Sequence, residues 1–553
     1  MTDFPKPFKS KIAYDIFVNK YKHDGCETWQ DLSRVLVEDV CQDYMSKEDK
    51  AQLIDYMYRM CFIAGGRYLY YAGRPVKFFN NCYLLRAEED TREDWANISW
   101  KAESCLLTGG GIGVDYSRYR DSNQIIRRTG GKASGPIPKM FMVNEIGRNV
   151  IQGGSRRSAI YASLNHKHGD INRFLETKDW DSQLVKGLDN VSIGDLKRAD
   201  FNYNAPLDMT NISVNYDTEW LMNYLKTGDY GSVFLKNCEM ALKNGEPGFS
   251  FNFFDKENET LRNACTEVTS EDSDDVCNLG SLNFANIKDI QELKDVVELA
   301  TKFLICGTLR AHLPYEKVYR IREKNRRLGL GIMGLHEWLL SRKLPYEVSP
   351  ELHSWLTVYE HHSNSIAKQF VDHLGISTCA AIRAIAPTGT ISMLADTTSG
   401  IEPLYAVAYK RRYLVNGNKY KYQYKVDSIA HQYVEKYGYD PEKIESASDL
   451  AEDYERRIKF QADVQDYVDM SISSTINLPT TGSINPKQFA GVVAKYASRL
   501  RGLTVYPDGA RGGQPLTKVP YQEVKDKLGI EFEEASEVND VCIITGKGGF
   551  CSV

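Results

Sequence analysis

Strand-like and helix-like stretches alternate from about residue 66 to about residue 515, and no Pro/Ser linker, low-complexity tract or 20–50-residue repeat divides them. Such alternation demands one large α/β domain rather than a string of small ones. Helical sequence precedes it and a short tail follows, so the expected divisions are 1–65, 66–515 and 516–553. With 42% hydrophobic and 26% charged residues, the composition is that of an ordinary soluble globular chain. The net charge of −5 exerts no general pull on nucleic acid or anionic membrane. No apolar run approaches the roughly 18–20 residues of a spanning helix. The N-terminus has basic residues but no apolar signal-peptide core after them, so a cytoplasmic location is expected.

Local signals fill in this outline. Residues 30–64 read as helical, with Leu53, Ile54, Met57 and Cys61 apolar and Gly65-Gly66 as a stop. Asn80-Asn81-Cys82-Tyr83-Leu84-Leu85 reads as a turn entering a short buried strand. Glycine clusters at 109–113, 130–135 and 153–154 mark backbone that approaches something closely. Residues 291–306 form an amphipathic helix. Arg383 to Ser392 reads as a strand running into a Gly- and hydroxyl-rich turn, a type that offers donors to phosphate. From Tyr405 to Lys425, tyrosine and lysine alternate beside Asn416-Gly417, which signals a β-hairpin more than a stacking surface for nucleic acid.

Twelve cysteines without a secretory signal do not make a disulfide framework. No CxxC pair or HExxH stretch supports zinc, and no metal site is expected. Cys61 and Cys306 sit in apolar helical patterns and read as core thiols. The polar contexts of Cys82, Cys265, Cys277, Cys542 and Cys551 are different. Asn263-Ala264-Cys265-Thr266-Glu267 sets a thiol between an amide and a carboxylate, which an extended strand would bring to one face. Cys277-Asn278-Leu279-Gly280 follows shortly after, and a second thiol nearby suggests redox chemistry.

Taken in order, these stretches resemble the catalytic chain of a ribonucleotide reductase, most closely the adenosylcobalamin-dependent class II enzymes. The resemblance rests on Asn-Asn-Cys at 80–82, Gly-Gly-x-Arg-Arg-Ser-Ala at 153–159 and Asn-x-Cys-x-Glu at 263–267. Cys-Asn-Leu-Gly-Ser-Leu-Asn at 277–283 and Ala-Pro-Thr-Gly-Thr-Ile-Ser at 386–392 complete it. It implies a ten-stranded α/β barrel of two parallel five-stranded halves with a central finger loop. It also implies roles. Cys265 would carry the thiyl radical, Glu267 would act as base and Asn263 would bind the ribose hydroxyls. Cys82 and Cys277 would supply the reducing electrons, with Cys542 and Cys551 as a tail shuttle to thioredoxin or glutaredoxin. Pro387, Thr388, Gly389, Thr390, Ile391 and Ser392 would hold the phosphates of a ribonucleoside di- or triphosphate. Gly153, Gly154, Ser155, Arg156, Arg157 and Ser158 would form the loop that reads a nucleotide effector.

Some features depart from the family pattern. Eight residues separate the tail cysteines, wider than the usual pair. Cys82 arrives too early to leave room for an N-terminal regulatory cone. The short stretch from Arg120 to Gly130 lacks the insertion of monomeric class II enzymes, so a homodimer is expected. Tyr506 stands alone where class I chains have two adjacent tyrosines, and Tyr70-Tyr71 lies in the wrong place. Adenosylcobalamin is therefore the expected cofactor. The alternative is a class I large subunit with no cofactor of its own, fed by a metal-containing partner subunit. A non-catalytic nucleotide sensor is the weaker alternative, because every redox and acid/base residue is retained.

Overall fold

The computed structural model describes residues 5–150, 158–200, 202–416, 419–510, 516–525, 527 and 530–532. The N-terminal stretch folds as helices Lys11–Lys20, Trp29–Cys41 and Lys47–Tyr58, then strand β1 (Phe62–Ala64) and helix Gly66–Tyr71. The helix expected over 30–64 is thus broken twice. Gln42 (φ 40°) and Met60 (φ 57°) turn the chain after the second and third helices. The apolar run Phe62-Ile63-Ala64, too short for its period to distinguish strand from helix, pairs as a strand.

The barrel is built from two sets of parallel strands. In the first, β2 (Cys82–Arg86), β3 (Gly111–Asp115), β4 (Ile160–Asn165), β5 (Thr210–Tyr216) and β6 (Gly248–Phe251) each pair with the next. After a small hairpin of β7 (Leu261–Arg262) and β8 (Thr269–Ser270), the second set begins with β9 (Asp275–Asn283) and β10 (Leu328–Met333). Leu330 bridges in parallel to Arg383, and Ile385 to Ile472. The chain from Ile472 runs on into β13 (Thr475–Thr480), which pairs in parallel with β14 (Gly502–Asp508). The sets meet antiparallel at both seams, β2 with β9 and β6 with β14. Counting the narrow strand around 383–385, ten strands close a ring of two parallel five-stranded halves, as expected. β1 pairs with the remaining edge of β9.

Alternate residues explain where the cores sit. On the first half Tyr83, Leu85, Ile112, Val114, Ile212 and Val214 face outward under helices such as Arg92–Leu107, Pro136–Asn149 and Gly231–Asn244. On the second half Leu328, Leu330 and Ile332 pack on Phe303, Leu304 and Tyr359 from helices Ile290–Arg310 and Pro350–Leu374. Inside the ring a small cluster of Leu84, Leu261, Val268, Cys277, Ala384 and Met470 joins both halves to the hairpin.

β11 (Ala408–Asn416) and β12 (Lys419–Val426) form the hairpin expected from Asn416-Gly417. β15 (Leu516–Lys518) and β16 (Glu531–Phe532) add to its two sides. The boundary expected at 516 therefore falls inside this sheet, whose open edges recruit the later strands. Among the described residues, no helix is long and apolar enough to cross a membrane.

Candidate active site

The hairpin of β7 and β8 enters the barrel because the wall opposite lacks side chains. A Cβ at Gly113 would lie 1.7 Å from the Arg262 carbonyl oxygen, and one at Gly111 would lie 3.1 Å from the Ala264 Cβ. The first glycine cluster is thus spaced for the protein's own finger loop. Arg262 anchors the stem: Nη2 donates to Asn252 Oδ1 (2.8 Å) and to the Arg501 carbonyl (2.8 Å), and Nε donates to Ser250 Oγ (3.2 Å). Burial, reinforced by the neighbouring Arg501, lowers its pKa to about 9.

At the tip, Asn263 Oδ1 accepts the Val268 N–H (2.9 Å), and the Thr266 N–H donates to the Asn263 carbonyl (3.0 Å). Thr266 takes φ 72°. Residues 263–267 are therefore a tight turn, not the extended strand whose one face would have carried all three groups. The side-chain-to-backbone bond of Asn263 outcompetes the ladder. The turn separates the groups by exposure: Asn263 and Glu267 are buried at 0% and 1%, whereas Cys265 is exposed. Asn211 Nδ2 donates to the Ala264 carbonyl (3.2 Å). Asn211, exposed in an otherwise buried β5, was missed in the sequence. The alternation Asn211, Ser213, Asn215 marks a polar inner face and was the available signal.

Below the tip, Cys82 and Cys277 are direct partners across the antiparallel β2–β9 seam. Such partners have Cα atoms roughly 4.5–5.5 Å apart, inside the roughly 4.4–6.8 Å that a disulfide accepts. Both are buried, and neither is in a disulfide. Asn263 Nδ2 donates to Cys82 Sγ (3.0 Å). Burial, with the Glu267 carboxylate next in effect, pushes both thiols well above the ordinary range. They are held as S–H groups rather than thiolates. Burial also raises Glu267 to about 7 against an opposing hydrogen bond from Asn263. Its Oε2 is a buried acceptor with no hydrogen-bond partner among the described residues, the kind of group that a ligand hydroxyl satisfies. Amide, acid, exposed thiol and buried dithiol thus share one small volume.

The other expected residues divide. Strand 383–385 runs into Thr388 (φ 55°) and helix Gly389–Ala395, whose first turn has no side-chain cap. Thr388 Oγ1 accepts the Gly400 N–H (2.8 Å), and Ser392 Oγ bonds Ser399 Oγ (2.8 Å), so these hydroxyls brace the turn. Pro387 and Thr390 are half-buried and Ile391 is buried; Gly389 is exposed, and a Cβ there would meet nothing within 4 Å. Ser158 donates to the Val150 carbonyl (3.0 Å). Gly153, Gly154, Ser155, Arg156 and Arg157, like Cys542 and Cys551, lie outside the described residues. Tyr506 alternates with outward-packed Val505 and is half-buried on the inner face of β14.

Asp121, His168 and Asp170 form a cluster of metal-ligating type. However, His168 Nδ1 accepts the Asp170 N–H (3.0 Å), and its Nε2 bonds the Tyr119 carbonyl (2.7 Å). Ser122 bonds Asp170 through its N–H (2.7 Å) and its hydroxyl. This is an internal hydrogen-bond network.

The model of the ribonucleotide reductase barrel domain matches residues 80–201, 219–360 and 353–506. A relative from Mycobacterium tuberculosis strain CDC 1551, named vitamin B12-dependent ribonucleoside-diphosphate reductase, is 26% identical over 520 residues, covering 85% of this chain and 74% of its own. A Thermoplasma acidophilum protein of the same name is 25% identical, covering 82% of this chain and 65% of its own. Among solved structures, the Actinobacillus ureae class Id ribonucleotide reductase alpha subunit superposes with a TM-score of 0.70 at 16% identity, covering 91% of this chain and 97% of that one. That likeness speaks for the fold.

Proposed function

Because the chain belongs to the ribonucleotide reductase barrel family, we propose that it reduces ribonucleotides to 2′-deoxyribonucleotides through a thiyl radical at Cys265. One observation carries this reading: an exposed thiol at the finger tip stands over a buried, register-paired dithiol and a carboxyl titrating near neutrality. The Cys265 thiyl abstracts the 3′-hydrogen of the ribose. Ionised Glu267, its Oε2 free to accept, takes the 3′-hydroxyl proton, and Asn263 orients the ribose hydroxyls. The 2′-hydroxyl leaves as water with a proton from one thiol of the Cys82–Cys277 pair, and the other thiol gives a hydrogen atom to C2′. As the pair closes to a disulfide its remaining electron, with the proton held by Glu267, restores the 3′-hydroxyl and leaves the radical on C3′. Cys265 then returns its hydrogen to C3′.

Adenosylcobalamin is the radical source in this reading. The relatives' names support it, as does the single tyrosine at Tyr506. Cys265 is the exposed member of the triad, which fits a group that docks from outside the hairpin. When bound, the cofactor supplies the radical that removes the thiol hydrogen of Cys265. The chain's own part is to hold that sulfur in place through Asn211 and the Ala264 carbonyl.

Main-chain donors of Gly389 and Thr390 take the substrate phosphates, and residues 153–158 read a nucleotide effector. Re-reduction passes through Cys542 and Cys551 to thioredoxin or glutaredoxin. A homodimer is supported by Trp100 (54% exposed), Leu107 (65%) and Met142 (57%), which leave apolar surface on the neighbouring helices Arg92–Leu107 and Pro136–Asn149. The deciding assay offers the purified chain ribonucleoside di- or triphosphate with dithiothreitol, with and without adenosylcobalamin. Turnover is expected only with it. Turnover without cobalamin but with an added metal-containing subunit would overturn the cofactor assignment.

A further inference from the structure

Two thiols outside the candidate site meet in the outer core. Cys41 is the last residue of helix Trp29–Cys41, and Cys306 lies in helix Ile290–Arg310. Polar contacts between the N-terminal stretch and that barrel helix bracket them. On one side Arg310 Nε donates to the Asp39 carbonyl (3.2 Å), and on the other Lys302 Nζ donates to Asp49 Oδ2 (2.9 Å). Helix residues four apart share a face, so Cys306 is turned with Lys302 and Arg310 toward the N-terminal helices. The Cys41 thiol is hydrogen-bonded with the Cys306 thiol. Both residues are 0% exposed, and neither is in a disulfide.

This pair is walled off from Cys82 and Cys277. Cys277 points into the barrel with Leu84, Val268 and Met470, whereas Cys41 and Cys306 belong to the core outside β9 with Tyr68, Phe303 and Leu304. Between the two groups, Asn278 Nδ2 donates to the Leu304 carbonyl (2.8 Å) and to the Tyr68 hydroxyl (2.5 Å). β9 itself therefore blocks direct thiol exchange. Burial, reinforced by the adjoining Cys306, holds Cys41 well above the ordinary thiol range, and an un-ionised thiol is a poor nucleophile. Reaction waits for Cys41 to open toward solvent. A helix end just before Gln42 (φ 40°) is a place where such local opening starts.

We propose that Cys41 and Cys306 are a second redox pair, which hydrogen peroxide closes to a disulfide that fastens the N-terminal helices to the barrel. The opened Cys41 thiolate attacks one peroxide oxygen. The O–O bond breaks, and hydroxide leaves and takes up the proton that Cys41 released, forming water. Cys41 is then a sulfenic acid. The Cys306 sulfur attacks it, the S–S bond forms as the S–O bond breaks, and a second water carries off the Cys306 proton. Two electrons pass from the thiols to the peroxide. None of the residues of the thiyl-radical reading takes part. A cross-link between segments so far apart in sequence restrains the unfolded chain and slows unfolding.

Peptide mapping of the full chain tests it. The chain is fully reduced and exposed to hydrogen peroxide until Cys82 and Cys277 have joined, then denatured, alkylated and mapped by mass spectrometry without reduction. A Cys41–Cys306 peptide is expected in the wild type and equally in chain bearing Cys82→Ser and Cys277→Ser. In that variant, where the catalytic pair adds no cross-link, peroxide should slow unfolding in urea by at least about tenfold, and dithiothreitol should reverse the change. Adding Cys306→Ala should remove both the link and the slowing. Cys41 and Cys306 still alkylated in the treated wild type would overturn the proposal, and so would Cys41 advancing to sulfinic acid or joining another cysteine. A link that leaves the unfolding rate unchanged would overturn the fastening role.

Discussion

Replacing Glu267 by Gln should stabilise this protein at alkaline pH while abolishing its activity. The carboxyl is 1% exposed, and burial carries it from its ordinary 4.5 to about 7. A group whose folded pKa lies above its unfolded value favours folding most fully below the unfolded pKa, here about 4.5. That contribution is lost as pH rises through about 7. Ionising the buried group by pH 8 therefore costs about 3 kcal/mol relative to acid conditions, against under about 1 kcal/mol at pH 5. Gln keeps the shape and the amide contacts but does not titrate. Urea unfolding of both proteins at pH 5, 6, 7 and 8 should show the variant gaining about 2–3 kcal/mol on the wild type across that range. Midpoints that move in parallel would refute the claim that Glu267 is strained by burial. If Glu267 is the base, stability and function are opposed at this residue, as is common for a base held in a dry site.

Three further outcomes follow from the same geometry. If ionised Glu267 is the base, turnover should rise roughly tenfold from pH 6 to pH 8 as its ionised fraction grows; a flat profile would exclude it. Gly113→Ala puts a methyl on the Arg262 carbonyl, so the finger must shift; a loss of about 1–3 kcal/mol in denaturant unfolding, together with lost turnover, is expected. Asn211→Ala frees the Ala264 carbonyl and should lower kcat by about tenfold or more with KM little changed, since small misplacements at a reacting atom are costly. A rise in KM with kcat unchanged would point to a role in substrate binding instead.

Much of this was legible in the residues. The α/β class followed from alternation, the hairpin from Asn416-Gly417, and the strand before Pro387 from its apolar run. The finger turn was not, because Asn263 can serve a strand face or bond its own backbone, and only the tertiary setting selects the second. The glycines at 109–113 announced a close approach, but their partner, the Arg262 carbonyl, lies some 150 residues away in the chain. Pairing of Cys82 with Cys277 came from family resemblance, since strand register across the seam leaves no mark in residue spacing. Helix ends after Cys41 and Tyr58 depend on positive-φ residues, Gln42 and Met60, that carry no glycine signal.

The central claim is that electrons from Cys82 and Cys277 reach substrate through a radical at Cys265. A single turnover tests it most directly. Chain bearing Cys542→Ser and Cys551→Ser, fully reduced and freed of dithiol, is mixed with ribonucleotide and adenosylcobalamin, and both deoxynucleotide and disulfide are measured by mass spectrometry. Deoxynucleotide should form in the same amount as a Cys82–Cys277 disulfide, and Cys265→Ser should form neither. Deoxynucleotide appearing while Cys82 and Cys277 stay reduced, or forming in Cys265→Ser, would contradict the claim.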